Sequence, residues 1–331
     1  MSSAAAVPLF LGSLAVTLLA ARLFARRLDR LGMRFGLPEA LIGLLTALAA
    51  DGPEISSALA ALIKGDRSVG VGVLVGSNAF NLAAMIGLSG LLAGGVCLSR
   101  TVLALEGLIG AAITLIAAAI LLGWLSAPIA AILAGCLLVP YLVAVTAGMH
   151  RFTAARPARH PARRMARSLG QRSPREVGQP PSSDPTHHLL ALAVADIALI
   201  ILGSVGMVQA ALTLGGRWHV SRAVLGVLIL APLTSVPNAI TGVRLGLAGR
   251  GAALVGETFN SNTINLGGGV IGPALFTSVA VTTTAAKIQL GWLIAMTLAC
   301  LAMLARRGGV RRGGAAALVA MYAGFAALQL A

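Results

Sequence analysis

Asp51 and Glu54 stand three residues apart in the middle of an apolar run spanning residues 38–63. On a helix that spacing puts both carboxyls on one face. A charged carboxylate deep in a bilayer costs at least ~2.5 kcal/mol, so a pair of them requires a cation, a proton or a polar cavity. Pro53 lies between the two acids and cannot donate to the carbonyl of Ala49, and Pro237 likewise frees that of Leu233. Broken backbone at membrane depth is tolerated where it lines a cavity, and free carbonyls are ligands for hard cations. Ser77 and Asn81 are four apart and share a helix face; Ser261 and Asn265 repeat the arrangement, and Thr234, Ser235 and Asn238 accompany them. Every one of these groups offers oxygen, which suits sodium or calcium and argues against soft metals. The plain alternative is that such groups only hold helices together, as Ser, Thr and Asn often do in membranes.

The elements that must position these residues come in two related copies. A single offset of 184 residues brings Pro53 onto Pro237, Gly65 onto Gly249, Gly72 onto Gly256, Ser77 onto Ser261, Asn78 onto Asn262, Asn81 onto Asn265 and Leu82 onto Leu266. Each copy reads S-N-x-x-N inside an apolar helix, 24 residues after a proline. Apolar runs are expected to span the membrane near 5–24, 38–63, 69–95, 101–123, 127–148, 189–213, 222–247, 251–277, 288–305 and 314–330. The predicted fold is therefore all-α and polytopic, about ten transmembrane helices in two five-helix repeats. Five spans separate each element from its counterpart, and an odd number inverts the direction of insertion. Inverted repeats place a shared site near the midplane between discontinuous helices, which is transporter architecture.

The composition agrees with this class. Of 331 residues, 57% are apolar and 11% charged, too few for the polar coat of a soluble domain. A net charge of +15 raises the question of nucleic acid, so the position of the charge decides. With the N-terminus outside, Lys64, Arg67, Arg217, Arg222 and Lys287 fall outside, and the other 20 of the 25 basic residues fall at cytoplasmic junctions. That asymmetry predicts both termini outside and needs no nucleic-acid partner. Residues 149–187 are rich in Arg, Pro, Ser and His, and are expected to form a basic cytoplasmic loop whose arginines meet anionic lipid headgroups. They divide a first half, 1–148, from a second, 188–331. One aromatic, Phe152, gives bases nothing to stack on. Cys97, Cys136 and Cys300 are scattered and have no metal-ligand spacing, and no nucleophile–base pair suits an enzyme.

The motifs carry a resemblance. A-D-G-P-E at 50–54 followed by G-S-N-A-F-N at 76–81 resembles the first alpha-repeat of the cation/calcium exchanger superfamily, whose usual form is G-T-S-x-P-E and then G-S-N-x-F-N. T-S-V-P-N at 234–238 with N-S-N-T-I-N at 260–265 resembles the second. The resemblance implies an antiporter working by alternating access in a bacterial-type inner membrane, with the first and sixth spans as a sliding gate. It implies that Glu54, Ser77, Asn81, Thr234, Ser235 and Ser261 help bind the cation, with backbone carbonyls near Ala47, Ala50, Ala231 and Thr234. Two departures stand out: Asn238 replaces the second-repeat Glu, and Ala50 and Asp51 replace the first-repeat Thr and Ser. The carboxylate count of two is kept by Asp51, with both charges in one half.

The expected cation set is thus Asp51, Glu54, Ser77, Asn81, Thr234, Ser235, Asn238, Ser261 and Asn265. Glu257, one turn before Ser261, is a further candidate whose other reading is a polar residue near a helix end. Asp196 and Glu106 are intramembrane acids outside any motif, read as packing or gating groups. No resident cofactor is expected; the partner is an inorganic cation, calcium, sodium or a proton, carried as cargo. The rival readings are a proton-coupled or non-calcium exchanger, and a non-transporting scaffold or sensor that keeps the fold.

Overall fold

The computed structural model describes residues 3–37, 39–98, 103–153, 185–281, 283–306 and 309–330. Arg100, Arg307 and the bulk of the basic loop lie outside the described residues. In chain order the helices are α1 (Ser3–Arg34), α2 (Glu39–Ala50), α3 (Gly52–Ile63), α4 (Arg67–Ala93), α5 (Leu103–Leu121) and α6 (Ala127–Thr153). They continue with α7 (Thr186–Arg217), α8 (Arg222–Thr234), α9 (Val236–Leu247), α10 (Gly251–Leu266), α11 (Thr284–Leu304) and α12 (Arg312–Leu330). Two short strands, β1 (Gly95–Val96) and β2 (Val310–Arg311), pair antiparallel.

Six of these helices are long and apolar enough to cross a membrane, and α8 with α9 makes a seventh if the bent pair is one span. The bend between them is 50° and falls at Ser235, two residues before Pro237. The break between α2 and α3 falls at Asp51, also two residues before a proline, Pro53. Proline is tolerated in the first turn of a helix, where its missing N–H would be unpaired anyway, so each proline starts a new helix instead of continuing the old one. The same chemistry thus makes both discontinuities. Local caps set other starts: the Ser221 hydroxyl accepts from Val224 N–H (3.2 Å) at α8, and Thr283 accepts from Ala286 N–H (3.3 Å) at α11.

The apolar window of α4 is 94% buried, whereas those of α1 and α12 are 17% buried. α4 is therefore the central rod, and α1 and α12 turn most of their apolar surface outward, as lipid-facing helices do. Glycines let α4 and α8 touch backbone to backbone. A Cβ on Gly76 would lie 2.8 Å from both the Ala231 Cβ and the Val227 carbonyl oxygen. Such contacts replace the hydrophobic effect as the glue between membrane helices.

α1 runs on to Arg34, beyond the residue-24 limit that hydropathy set. Its basic end has a partner: Arg27 ion-pairs with Asp196 of α7 and also donates to the Leu192 carbonyl. This pair and the small clusters Ala20, Ala21, Ile200 and Leu31, Leu189, Ala193 bind α1 to α7 apart from the main core. α6 likewise extends past residue 148 to Thr153, into the segment expected to be loop.

Several connections touch one another. β1 and β2 join the segment after α4 to the one before α12, and Gly251 at the start of α10 abuts Cys97. At other connections Asp66 pairs with Arg222, and Val281 N–H donates to the Leu121 carbonyl at 2.8 Å.

Candidate functional site

The breaks at Asp51 and Ser235 bring the starts of α3 and α9 together, so the acids of one half meet the polar groups of the other. Asn238 Nδ2 donates to Asp51 Oδ1 at 2.8 Å and approaches Glu54 Oε1 at 3.3 Å; the Ser235 hydroxyl donates to Glu54 Oε1 at 3.0 Å. Ser261, on α10, donates to Asp51 Oδ1 at 2.6 Å. Each carboxyl thus has one oxygen held by donors, while Asp51 Oδ2 and Glu54 Oε2 are buried without a hydrogen-bond partner. Asp51 is 1% exposed and Glu54 is fully buried, so water does not reach the pair from outside.

A second layer of asparagines lies across α4 and α10. Asn81 Nδ2 donates to the Ser261 hydroxyl (3.0 Å) and to Asn262 Oδ1 (3.1 Å). Asn265 Nδ2 donates to Asn78 Oδ1 at 3.4 Å, and Asn262 Nδ2 to the Asn78 carbonyl at 3.2 Å. The amide oxygens of Asn81 and Asn265 are left buried and unpartnered. Two carboxyl and two amide oxygens are thus buried without a donor, oxygens of the type hard cations take, and Asn78 Nδ2 is buried without an acceptor. A buried polar atom without a partner is costly, which sets these atoms apart from the satisfied polar groups around them.

Ser77 donates to the Ala231 carbonyl at a long 3.5 Å. Thr234 donates back to Leu230 and Ala231 of its own helix. The Ala47 carbonyl accepts from Asp51 N–H and keeps one lone pair for another ligand, whereas the Ala231 carbonyl already accepts from Ser235 N–H as well as from Thr234 and Ser77. Ala50 is half-buried at the end of α2, beside the break. Ser261 gives its proton to Asp51 and accepts from Asn81 and Asn238, so its oxygen is already fully used. Glu257 is half-buried one turn before Ser261. Among the described residues no three His, Cys, Asp or Glu side chains gather, so Glu257 does not complete a three-acid cluster.

Sequence reasoning set Asn78 and Asn262 in the repeat but not in the site, although both are buried and bonded within it. Their signal was present: they sit between the paired Ser and Asn positions in both copies. The 184-residue offset carries the Asn81–Asn262 bond onto the Asn265–Asn78 bond. It also carries the Ser235–Glu54 pair onto the Asp51–Asn238 pair.

A model of the sodium/calcium exchanger protein family matches residues 5–148 and 188–331, and the chain belongs to that family. It is an integral membrane protein of a transporter family, not of an enzyme class. Among solved structures it is similar to the sodium-calcium exchanger NCX_Mj soaked with 2.5 mM Na+ and 10 mM Sr2+, at 18% identity and a TM-score of 0.59, over 97% of this chain and 98% of that one. It is also similar to NCX_Mj soaked with zero Na+ and Ca2+, at 19% identity and a TM-score of 0.59, over 98% and 99%. Native YfkE is similar at 14% identity and a TM-score of 0.63, over 97% of this chain and 91% of that one. At these identities the likeness concerns the fold. No curated protein sequence matches the chain.

Proposed function

We propose that this protein is a cation antiporter that exchanges calcium, or a cation of similar hardness, for sodium or protons by alternating access. The observation that carries the reading is the orphaned oxygen of each acid, Asp51 Oδ2 and Glu54 Oε2, held open while donors from the other half fix its twin. Two carboxylates neutralise one divalent cation, and the amide oxygens of Asn81 and Asn265 extend the shell. The binding set is Asp51, Glu54, Asn81 and Asn265. Ser235, Asn238 and Ser261 orient the acids, and Ser77 and Thr234 stand next to them.

Ten spans in two inverted five-helix repeats account for the offset-related bonds and would put the segments joined by β1 and β2 on one side and Asp66 with Arg222 on the other. The arginine asymmetry supports an inner-membrane orientation with both termini outside and the basic loop cytoplasmic. α1 and α7 form the moving unit: they are packed together along their length, paired by Arg27 and Asp196, and partly cored separately from the rest. The acids are sealed in this arrangement, which fits an occluded step. Competing cations take the same oxygens in turn. Only a filled or protonated site passes the apolar gate cheaply, because bare carboxylates there are costly, and this couples the two fluxes.

The test is flux in proteoliposomes with labelled calcium, sodium and other cations, comparing the parent with Asp51→Asn and Glu54→Gln. Saturable counterflow that both substitutions abolish supports the proposal. Absence of flux for every cation, at neutral and acidic pH, would instead indicate a scaffold or sensor.

A further inference from the structure

A third acid lies against a neighbouring face of α10. Glu106 sits in a widened, π-helical stretch of α5 (Leu103–Gly107) and is 4% exposed. Its carboxyl rests against α10: a Cβ on Gly256 would be 3.9 Å from Glu106 Cδ. Tyr141 of α6 places its hydroxyl 2.8 Å from Glu106 Oε2 and 3.1 Å from Asn260 Oδ1.

α10 therefore carries two acid contacts on adjoining faces. Gly256 and Asn260 form the face toward Glu106, whereas Ser261, one residue beyond Asn260 and about 100° around the helix, faces Asp51.

Counting hydrogens decides the state of this cluster. Tyr141 has one O–H and two acceptors within reach. If Glu106 carries a proton, it donates to the Tyr141 oxygen, Tyr141 donates to Asn260 Oδ1, and the chain of three groups carries no net charge. If Glu106 is ionised, Tyr141 donates to it and Asn260 Oδ1 loses its donor. Exchanging the amide oxygen and nitrogen of Asn260 would repair that bond, but leaves a carboxylate deep in an apolar span with no cation beside it. Three helices pack on this segment. α6 turns Tyr141 to it; α10 brings Gly256 and Asn260, with Glu257 on the neighbouring face; α11 sets Leu301 against Gly107, with buried Cys300 next in sequence. Among the described residues no Lys, Arg or His side chain bonds to Glu106.

We propose that Glu106, Tyr141 and Asn260 form a proton-binding site separate from the Asp51–Glu54 cation site, coupled to it through α10. The proposal rests on the exchanger reading and adds a place for the counter-moving proton. Filling or emptying one face of α10 shifts the helix that holds Ser261 on the next.

Infrared difference spectra of the full chain in lipid, between acidic and alkaline pH, test the site without transport. The protonated-carboxyl carbonyl band is expected to lose a component in Glu106→Gln and to shift in Tyr141→Phe, where one hydrogen bond is gone. An unchanged band in both variants overturns the proposal. The second arm uses vesicles with an internal pH dye. Cation-driven proton movement is expected to disappear in Glu106→Gln while cation-for-cation exchange continues; proton movement equal to that of the parent overturns the coupling. A parent without any cation flux would defeat the exchanger reading, and the infrared arm would still judge Glu106.

Discussion

Asn238 Nδ2 lies 2.8 Å from Asp51 Oδ1, and this pair is the counterpart, under the 184-residue offset, of Ser235 and Glu54 at 3.0 Å. The two pairs are related in position but not in charge. In both, the first half supplies the carboxylate and the second half supplies the donor. The site is thus symmetric as a frame and polarised as an electrostatic object, with Asn238 the neutral donor that reaches both buried acids.

Glu54→Gln should keep the fold, because the amide oxygen still accepts from Ser235 and the replacement has nearly the same volume. Removing one of two charges should weaken binding of a divalent cation by about tenfold or more, equivalent to ~1.4 kcal/mol. Isothermal titration in detergent would check this; unaltered affinity would remove Glu54 from the site.

Asn238→Asp should have the opposite character. It replaces a donor by a third buried acid next to Asp51 and Glu54, and like charges at that distance do not ionise together at low cost. The apo protein should melt at a lower temperature than the parent, and added calcium should raise the melting temperature more than it does for the parent, since ligand binding stabilises by linkage. A thermal-shift series against calcium concentration reads both effects.

Asp196→Asn leaves Arg27 without its counter-ion in a partly buried place. Breaking one side of a buried pair typically costs about 3 kcal/mol, less here because Arg27 keeps some exposure and the Leu192 carbonyl. Thermal unfolding should show the loss, and the double change Arg27→Met with Asp196→Leu should recover part of it.

Gly76→Ala should destabilise the central contact between α4 and α8, because the new methyl meets Ala231 and the Val227 carbonyl at 2.8 Å. Overpacking of this kind costs about 1–3 kcal/mol, and backbone on the far side leaves little room for adjustment. The yield of folded, monodisperse protein in detergent and its melting temperature measure the effect; Gly135→Ala, where nothing lies within 4 Å, is the control.

Much of the site was legible in one dimension because its chemistry is tied to a repeat. The prolines at 53 and 237 mark both helix breaks, and S-N-x-x-N recurs at the same distance from each. The bonds confirm that Ser261, Asn238 and Ser235 meet the acids, which no local spacing states. Ser261 reads from sequence as a ligand, yet its oxygen is consumed by Asp51, Asn81 and Asn238; that accounting of lone pairs exists only once three helices are placed. The Arg27–Asp196 pair joins residues 169 apart, outside any repeat or period, so Arg27 reads as a junction residue until α1 and α7 are seen side by side.

By itself the sequence determined that the chain is helical and lives in a membrane, that its polar residues come as two related sets, and that both motif acids belong to the first. Hydropathy, proline and an offset are properties of the chain read along its length, and each has a local physical consequence. Tertiary structure alone decided which oxygens remain unpaired, and that Glu106, Tyr141 and Asn260 share one chain of hydrogen bonds. Those outcomes depend on which faces of separate helices meet, and a hydrogen bond between distant residues has no trace in their spacing.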